Sequence, residues 1–198
     1  MSDEALLELV FHGREERNLE YKQSMSWQEP TTRAKIAKSA MAMANLPDGG
    51  AIVLGIKKEG ETYDPEGMEP GHAESFKQDD VMDFVNAYAD PYVELTVAPV
   101  YDGQKQFIVI QVREFDQLPV VCKKSGEEGL ERGALFTRTR RKCETAKVSS
   151  QTEMREILDR AVDIQIRRLR ERGLITQAVG IPPTEGDRIL FEQQLEGL

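Results

Sequence analysis

Three glutamates and a lysine stand close together near the N-terminus: Glu15, Glu16 and Glu20, followed by Lys22. Clustered carboxylates can hold a divalent cation for phosphodiester hydrolysis, and a lysine beside them can stabilise the charge that develops. Residues 17–23 read as a strand. Its period of two puts Glu20 and Lys22 on one face and Leu19 and Tyr21 on the other. Glu15, Glu20 and Lys22 are thus a candidate catalytic set, weighed against a plain acidic surface strand.

A second group is basic. Arg138-Thr139-Arg140-Arg141-Lys142 ends a strand expected over 134–140, with Arg138 and Arg140 on one face. Lys123, Lys124 and Arg132 join it if residues 120–124 and 134–140 pair. Such a patch contacts phosphates and reads little of the base sequence. Phe136 is the aromatic nearest to it, so stacking on unpaired bases gains little support. The competing reading is a charged sheet edge that discourages aggregation.

A third feature is Asn45-Leu46-Pro47-Asp48-Gly49-Gly50, leading into the apolar run Ala51 to Lys57. Paired glycines permit positive φ and close backbone approach. A phosphate-binding P-loop is excluded: Gly50-x4-Gly55 is followed by Ile56, not by Lys and Ser or Thr, and the glycines open a strand, not a helix. A tight turn that fixes a strand is the reading retained.

These groups need a frame to hold them. Asp3 to Phe11 carries an apolar stripe of Leu6, Leu7, Leu9 and Val10 and predicts a short helix, ended near Gly13. Thr31 or Thr32 is expected to cap a helix running to about Asn45, its alanines packing closely on a sheet. Residues 51–57 read as one central strand covered on both faces, and 58–74 as an acidic surface loop. A helix over 77–88 follows, then a hairpin of 92–101 and 106–113 turning at Asp102-Gly103. Ser149 or Ser150 caps a long helix to about Arg172, with Met154, Ile157, Leu158, Ala161, Ile164 and Leu169 as its apolar side. Its arginines are expected to pair along the helix, Arg160 with Glu156 or Asp163.

The resulting expectation is an α+β fold: a single domain with a mixed or antiparallel β-sheet packed by helices, plus a long C-terminal helix and tail. The domain spans 1–148 and the helix 149–173, packing on it or mediating oligomerisation. The tail of 174–198 has weak helical potential near 187–196.

Composition narrows the class. The chain has 198 residues, 31% of them charged, with a formal net charge of −9. That balance argues against a non-specific nucleic-acid coat. The average hides an asymmetry: residues 59–94 hold eleven acids and one base, residues 117–150 eight bases and four acids. Local potential governs binding more than net charge does, so a basic face is compatible with the acidic total. Two cysteines, Cys122 and Cys143, make no disulfide framework, and lone His12 and His72 make no zinc site. The N-terminus lacks a signal-peptide pattern and no apolar run spans a bilayer, so a cytoplasmic protein without membrane contact is expected.

The motifs occur in a known order. Glu15-Glu16-Arg17-Asn18-Leu19-Glu20-Tyr21-Lys22 resembles the E-x-x-x-L-E-F-K opening of the Schlafen AlbA-type (AlbA_2, formerly divergent AAA) domain family. Ala42 to Ile56 resembles its A-F-A-N-x-x-G-G-x-I-x-x-G-V segment, and Leu130 to Arg140 its G-x-x-Y-x-R-x-G strand. The resemblance covers roughly residues 5–165. It implies an α+β nucleic-acid-binding module, with bacterial members described as DNA-binding, regulatory or ATP-binding proteins. In the nuclease branch it implies three carboxylates on a divalent metal that cut RNA. The first two correspond to Glu15 and Glu20. The third is expected in a G-V-x-D context, where this chain reads Gly55-Ile56-Lys57-Lys58-Glu59. A lysine stands in place of the acid, and Glu59 is a displaced substitute. The helicase and winged-helix portions of longer relatives have no counterpart here.

Three functions follow as expectations. The leading one is a nucleic-acid-binding domain whose phosphate contacts are Lys57, Lys58, Lys123, Lys124, Arg138, Arg140 and Arg141, with a role in prokaryotic regulation or antiviral defence as the family analogy implies. DNA and RNA are not distinguished. The second is a metal-dependent endoribonuclease, with Glu15, Glu20 and Glu59 (or Glu16) holding Mg or Mn; outside that case no cofactor is expected. The third is a non-enzymatic assembly subunit. A homo-oligomer is expected in general, and the long helix and tail are candidate docking elements for a protein partner.

Overall fold

The computed structural model describes residues 2–175. Residues 176–198, which include most of the expected tail, lie outside the described residues.

The chain begins with helix α1 (Asp3–Phe11), whose N-cap Ser2 accepts a bond from the Ala5 amide. Strand β1 (Leu19–Lys22) is shorter than its apolar pattern suggested. Helix α2 (Pro30–Ala44) starts at Pro30, with Glu29 as an N-cap that makes no side-chain bond, so the threonines do not cap it. Proline suits the first turn, where its missing N–H has no intrahelical partner anyway. The apolar run splits into β2 (Gly50–Leu54) and β3 (Ile56–Glu59). The break is Gly55, at φ +103°, a conformation that side chains with a Cβ rarely adopt. β3 then forms a hairpin with β4 (Thr62–Pro65), inside the segment expected to be loop.

Helix α3 (Gln78–Tyr88) leads to a two-residue strand, β5 (Ala89–Asp90), and then to the hairpin β6 (Leu95–Asp102) and β7 (Lys105–Val112). Strand β8 (Val121–Cys122) pairs with β5, while β9 (Phe136–Arg138) pairs with β10 (Thr145–Lys147). The expected pairing of 120–124 with 134–140 is reduced to one bridge, Val121 to Leu135. Helix α4 (Gln151–Glu171) is capped by Ser150, whose hydroxyl accepts from the Glu153 amide.

The main sheet has the order β1-β2-β7-β6, with β1 parallel to β2 and the other pairs antiparallel. This is the mixed sheet of an α+β fold. β2 lies inside it and is covered on both faces. Ala51 and Val53 join Leu6, Val10, Leu19, Tyr21, Phe107 and Val109 in one core. Alternation sends Ile52 and Leu54 to the opposite face, with α2 packed on the sheet. Each such aliphatic burial stabilises the fold by about 1.5–3 kcal/mol.

Asn45 ends α2 and is itself buried. Its amide donates to the carbonyls of Val120 and Phe136 and its oxygen accepts from the Val120 amide, tying the β8 and β9 segments to the helix end. No helix among the described residues is long and apolar enough to cross a membrane.

The chain divides into one compact unit of residues 1–162 and a second that begins at Asp163, inside α4. Along that helix Ile157, Ala161 and Ile164 are buried, whereas Met154, Leu158 and Leu169 of the expected apolar side are exposed. Arg160 reaches off the helix to pair with Glu114.

Candidate nucleic-acid interface

The segment before β1 and the strand itself bring Glu15 and Glu20 to one guanidinium. Glu20 is 8% exposed. One of its oxygens lies 2.6 Å from Lys22 Nζ and the other 3.0 Å from Arg138 Nη1. Burial pushes the Glu20 carboxyl up, but the charges of Lys22 and Arg138, with bonds from Lys22 and Ser39, outweigh it and hold it below the usual carboxylate range. Glu15 accepts from the Tyr21 amide (3.1 Å) and from the Tyr63 hydroxyl (3.2 Å), and lies 4.0 Å from Arg138 Nη2.

Arg138 is 1% exposed, which corrects its expected place among the phosphate contacts. Its Nε donates to the Arg17 carbonyl, and its Nη2 to the carbonyls of Glu16 and Leu19. A planar fork of five donors suits this work, and a buried guanidinium is tolerated only when such partners surround it. Arg138 is therefore an internal tie between β9 and the 15–20 segment.

The expected metal set does not form. Strand alternation puts Lys57 and Glu59 on one face of β3, where they pair at 2.9 Å, and Lys58 on the other. Glu59 is thus turned away from the side on which Lys58 meets Tyr63 and Glu15. Glu16 is engaged by His12 (2.9 Å) and Arg14 (2.8 Å), whose bonds hold its carboxyl below its ordinary range. Among the described residues no three His, Cys, Asp or Glu side chains gather as a metal-holding group. The Lys58 ammonium stands 5.2 Å from the Tyr63 ring centre, and a bond with that hydroxyl, then the charges of Glu15 and Glu144, raise its pKa. Lys22 and Arg138 thus compete with any cation for the Glu15 and Glu20 carboxylates.

The other basic residues fall into two places. Lys123 donates to the Asn86 carbonyl and Lys124 lies over the Tyr88 ring, so both are engaged with α3. Residues 139–144 form the turn between β9 and β10, closed by Thr139 and Glu144 with Cys143 at φ +52°. Arg140 belongs to that turn and not to the strand, and its Nη2 meets Glu156 at 2.5 Å. Arg141 and Lys142 are exposed beside it. Lys57 is shared by Glu59 and Glu66.

Sequence reasoning missed Arg17, Tyr63 and Glu156. Arg17 donates to the Arg138 carbonyl and to Glu156, partners more than a hundred positions away that no local spacing announces.

No curated protein matches the chain. Among solved structures, the N-terminal domain of a RecG-related protein from Nitrosomonas europaea is 22% identical with a TM-score of 0.47, over 76% of this chain and 96% of that one. The DIP2311 protein of Corynebacterium diphtheriae is 16% identical with a TM-score of 0.47, over 71% of this chain. The chain spans 23% of the Corynebacterium protein. The Schlafen AlbA_2 family model matches residues 15–147, a stretch that holds the Glu15–Glu20 segment, the Gly49-Gly50 turn and the β3–β4 and β9–β10 hairpins, and the chain belongs to that family.

Proposed function

We propose that this protein is a nucleic-acid-binding module that grips the phosphate backbone without a divalent metal. The observation that carries the reading is the placement of Lys58, Arg141 and Lys142. They stand exposed on the β3–β4 hairpin and in the β9–β10 turn, and none makes a salt bridge among the described residues. Exposed cations that make no salt bridge release counterions when they meet phosphates, and this supplies sequence-independent affinity. Family membership supports the same reading, and the lysine at position 58 supports binding over metal-dependent cutting.

Fluorescence anisotropy with labelled RNA and DNA oligonucleotides in EDTA tests it. Affinity is expected to fall steeply with salt. Changing Lys58, Arg141 and Lys142 together to Glu is expected to weaken binding at least about tenfold for all sequences alike, and to flatten the salt dependence by about 0.9 per lost duplex phosphate contact. An unchanged affinity in the triple variant sinks the proposal. Absence of binding at low salt, with a dimer in light scattering, favours an assembly subunit, for which the exposed Leu158 and Val162 of α4 are the supporting observation.

A further inference from the structure

Two guanidinium groups from separate parts of the chain converge on one carboxylate. Arg17, ahead of β1, donates from Nη2 to Glu156 Oε2 at 2.8 Å. Arg140, in the β9–β10 turn, places its Nη2 2.5 Å from Glu156 Oε1. Arg17 is held ready for this, because its Nε donates to the Arg138 carbonyl at 2.9 Å. Arg140 is held by little else, and its side chain is 71% exposed. Burial pushes the Glu156 carboxyl up, but the Arg17 bond and charge, followed by Arg140, hold it below the usual carboxylate range.

Two arginine forks around a pair of anionic oxygens is the arrangement that recognises a phosphate as well as a carboxylate. The next basic residues along the chain, Arg141 and Lys142, are those assigned above to backbone contact. We infer that Arg17 and Arg140 form a phosphate-binding site that Glu156 fills in the free protein, and that a nucleic-acid phosphodiester takes the place of the Glu156 carboxylate. The inference rests on the nucleic-acid reading above and adds a contact that reading does not include. One turn further along α4, Arg160 is paired with Glu114, so the helix keeps an anchor when Glu156 lets go.

Because Glu156 competes with the ligand, removing its charge strengthens binding, the opposite of what loss of a structural ion pair does. Glu156→Gln in the full chain, measured by anisotropy with the same oligonucleotides across a salt series, is expected to bind about tenfold tighter at low salt, with a salt slope steeper by about 0.7–1.8 for one or two added phosphate contacts. Adding Arg140→Gln to that variant is expected to remove the gain. If the wild-type protein binds in a salt-dependent way and Glu156→Gln binds equally or more weakly, the inference fails and the nucleic-acid reading stands. If neither protein binds any oligonucleotide, both fail. Should Glu156→Gln not fold, the exposed Arg140→Gln alone decides: a weakened affinity with a shallower salt slope supports the site, and an unchanged one overturns it.

Discussion

Arg138→Met is expected to lower the unfolding free energy by about 3–5 kcal/mol, the effect of removing one partner from a buried ion pair. The change leaves Glu20 charged and 8% exposed with Lys22 as its remaining cation. It also strips a donor from the carbonyls of Glu16, Arg17 and Leu19, which Arg138 now satisfies. Urea unfolding at constant m reads the loss as a shift in midpoint. Arg138→Lys is expected to recover little, since one ammonium cannot serve three carbonyls and a carboxylate in the geometry of a fork. Combining Glu20→Leu with Arg138→Met is expected to recover part of the stability by removing the stranded charge. The pH dependence has a definite sign. A folded-state pKa held below the ordinary carboxylate value stabilises the protein above that value, and the stabilisation is lost as pH falls through the lower, folded value. Glu20→Gln should therefore flatten the acid limb of the stability curve. A loss below about 1 kcal/mol in Arg138→Met, together with a drop in oligonucleotide affinity, is the result that returns Arg138 to the surface; the expected magnitude follows from the buried-pair range.

Local signals in the sequence carried the elements well and the site only in part. The 3.6-residue stripes of α1 and α3 and the Asp102-Gly103 hairpin are local patterns, and the structure has them within a few residues. The doubly buried β2 is likewise written as an apolar run. Gly55 was equally visible, but its positive φ depends on the backbone around it, and that break decides that Lys57 and Lys58 stand on a separate hairpin. The site was less legible because it is made of long-range pairs. Nothing near Arg138 in sequence says that its partners are Glu20 and the carbonyls of 16–19, and a basic run reads as surface until the fold is known. Arginine is seldom buried, so the local expectation was the common outcome, and tertiary pairing overrode it. Glu156 shows the same effect. Helical spacing offered it Arg160, and the fold gave it Arg17 and Arg140. Asn45, at the start of a motif read only as a turn, is a buried three-bond link between α2 and the β8 and β9 segments.

Gly49→Ala is expected to abolish stable folding, with a loss of more than about 4 kcal/mol, at the severe end for single substitutions. Gly49 has φ +73° and leads straight into β2. A Cβ there meets main chain: 2.1 Å from the Val112 carbonyl oxygen, 2.9 Å from the Glu114 nitrogen and 3.0 Å from the Arg113 carbonyl carbon. None of these atoms can rotate aside. Relief requires the end of β7 to move away from β2 at the pair Gly50–Val112, which opens the central pair of the sheet. The left-handed conformation alone accounts for only about 1–2 kcal/mol, so most of the loss must come from the clash. Gly103→Ala separates the two contributions. That glycine has φ +58° and nothing within 4 Å of its added Cβ, so its substitution carries backbone strain without a clash. It is expected to lower stability by about 1–2 kcal/mol and leave the far-ultraviolet circular dichroism unchanged. The comparison decides the role of the Gly49-Gly50 turn. If Gly49→Ala folds and melts like Gly103→Ala, the turn does not set the approach of β7 to β2. If Gly49→Ala is recovered only as unfolded protein, the close backbone contact is what the first glycine of the motif serves.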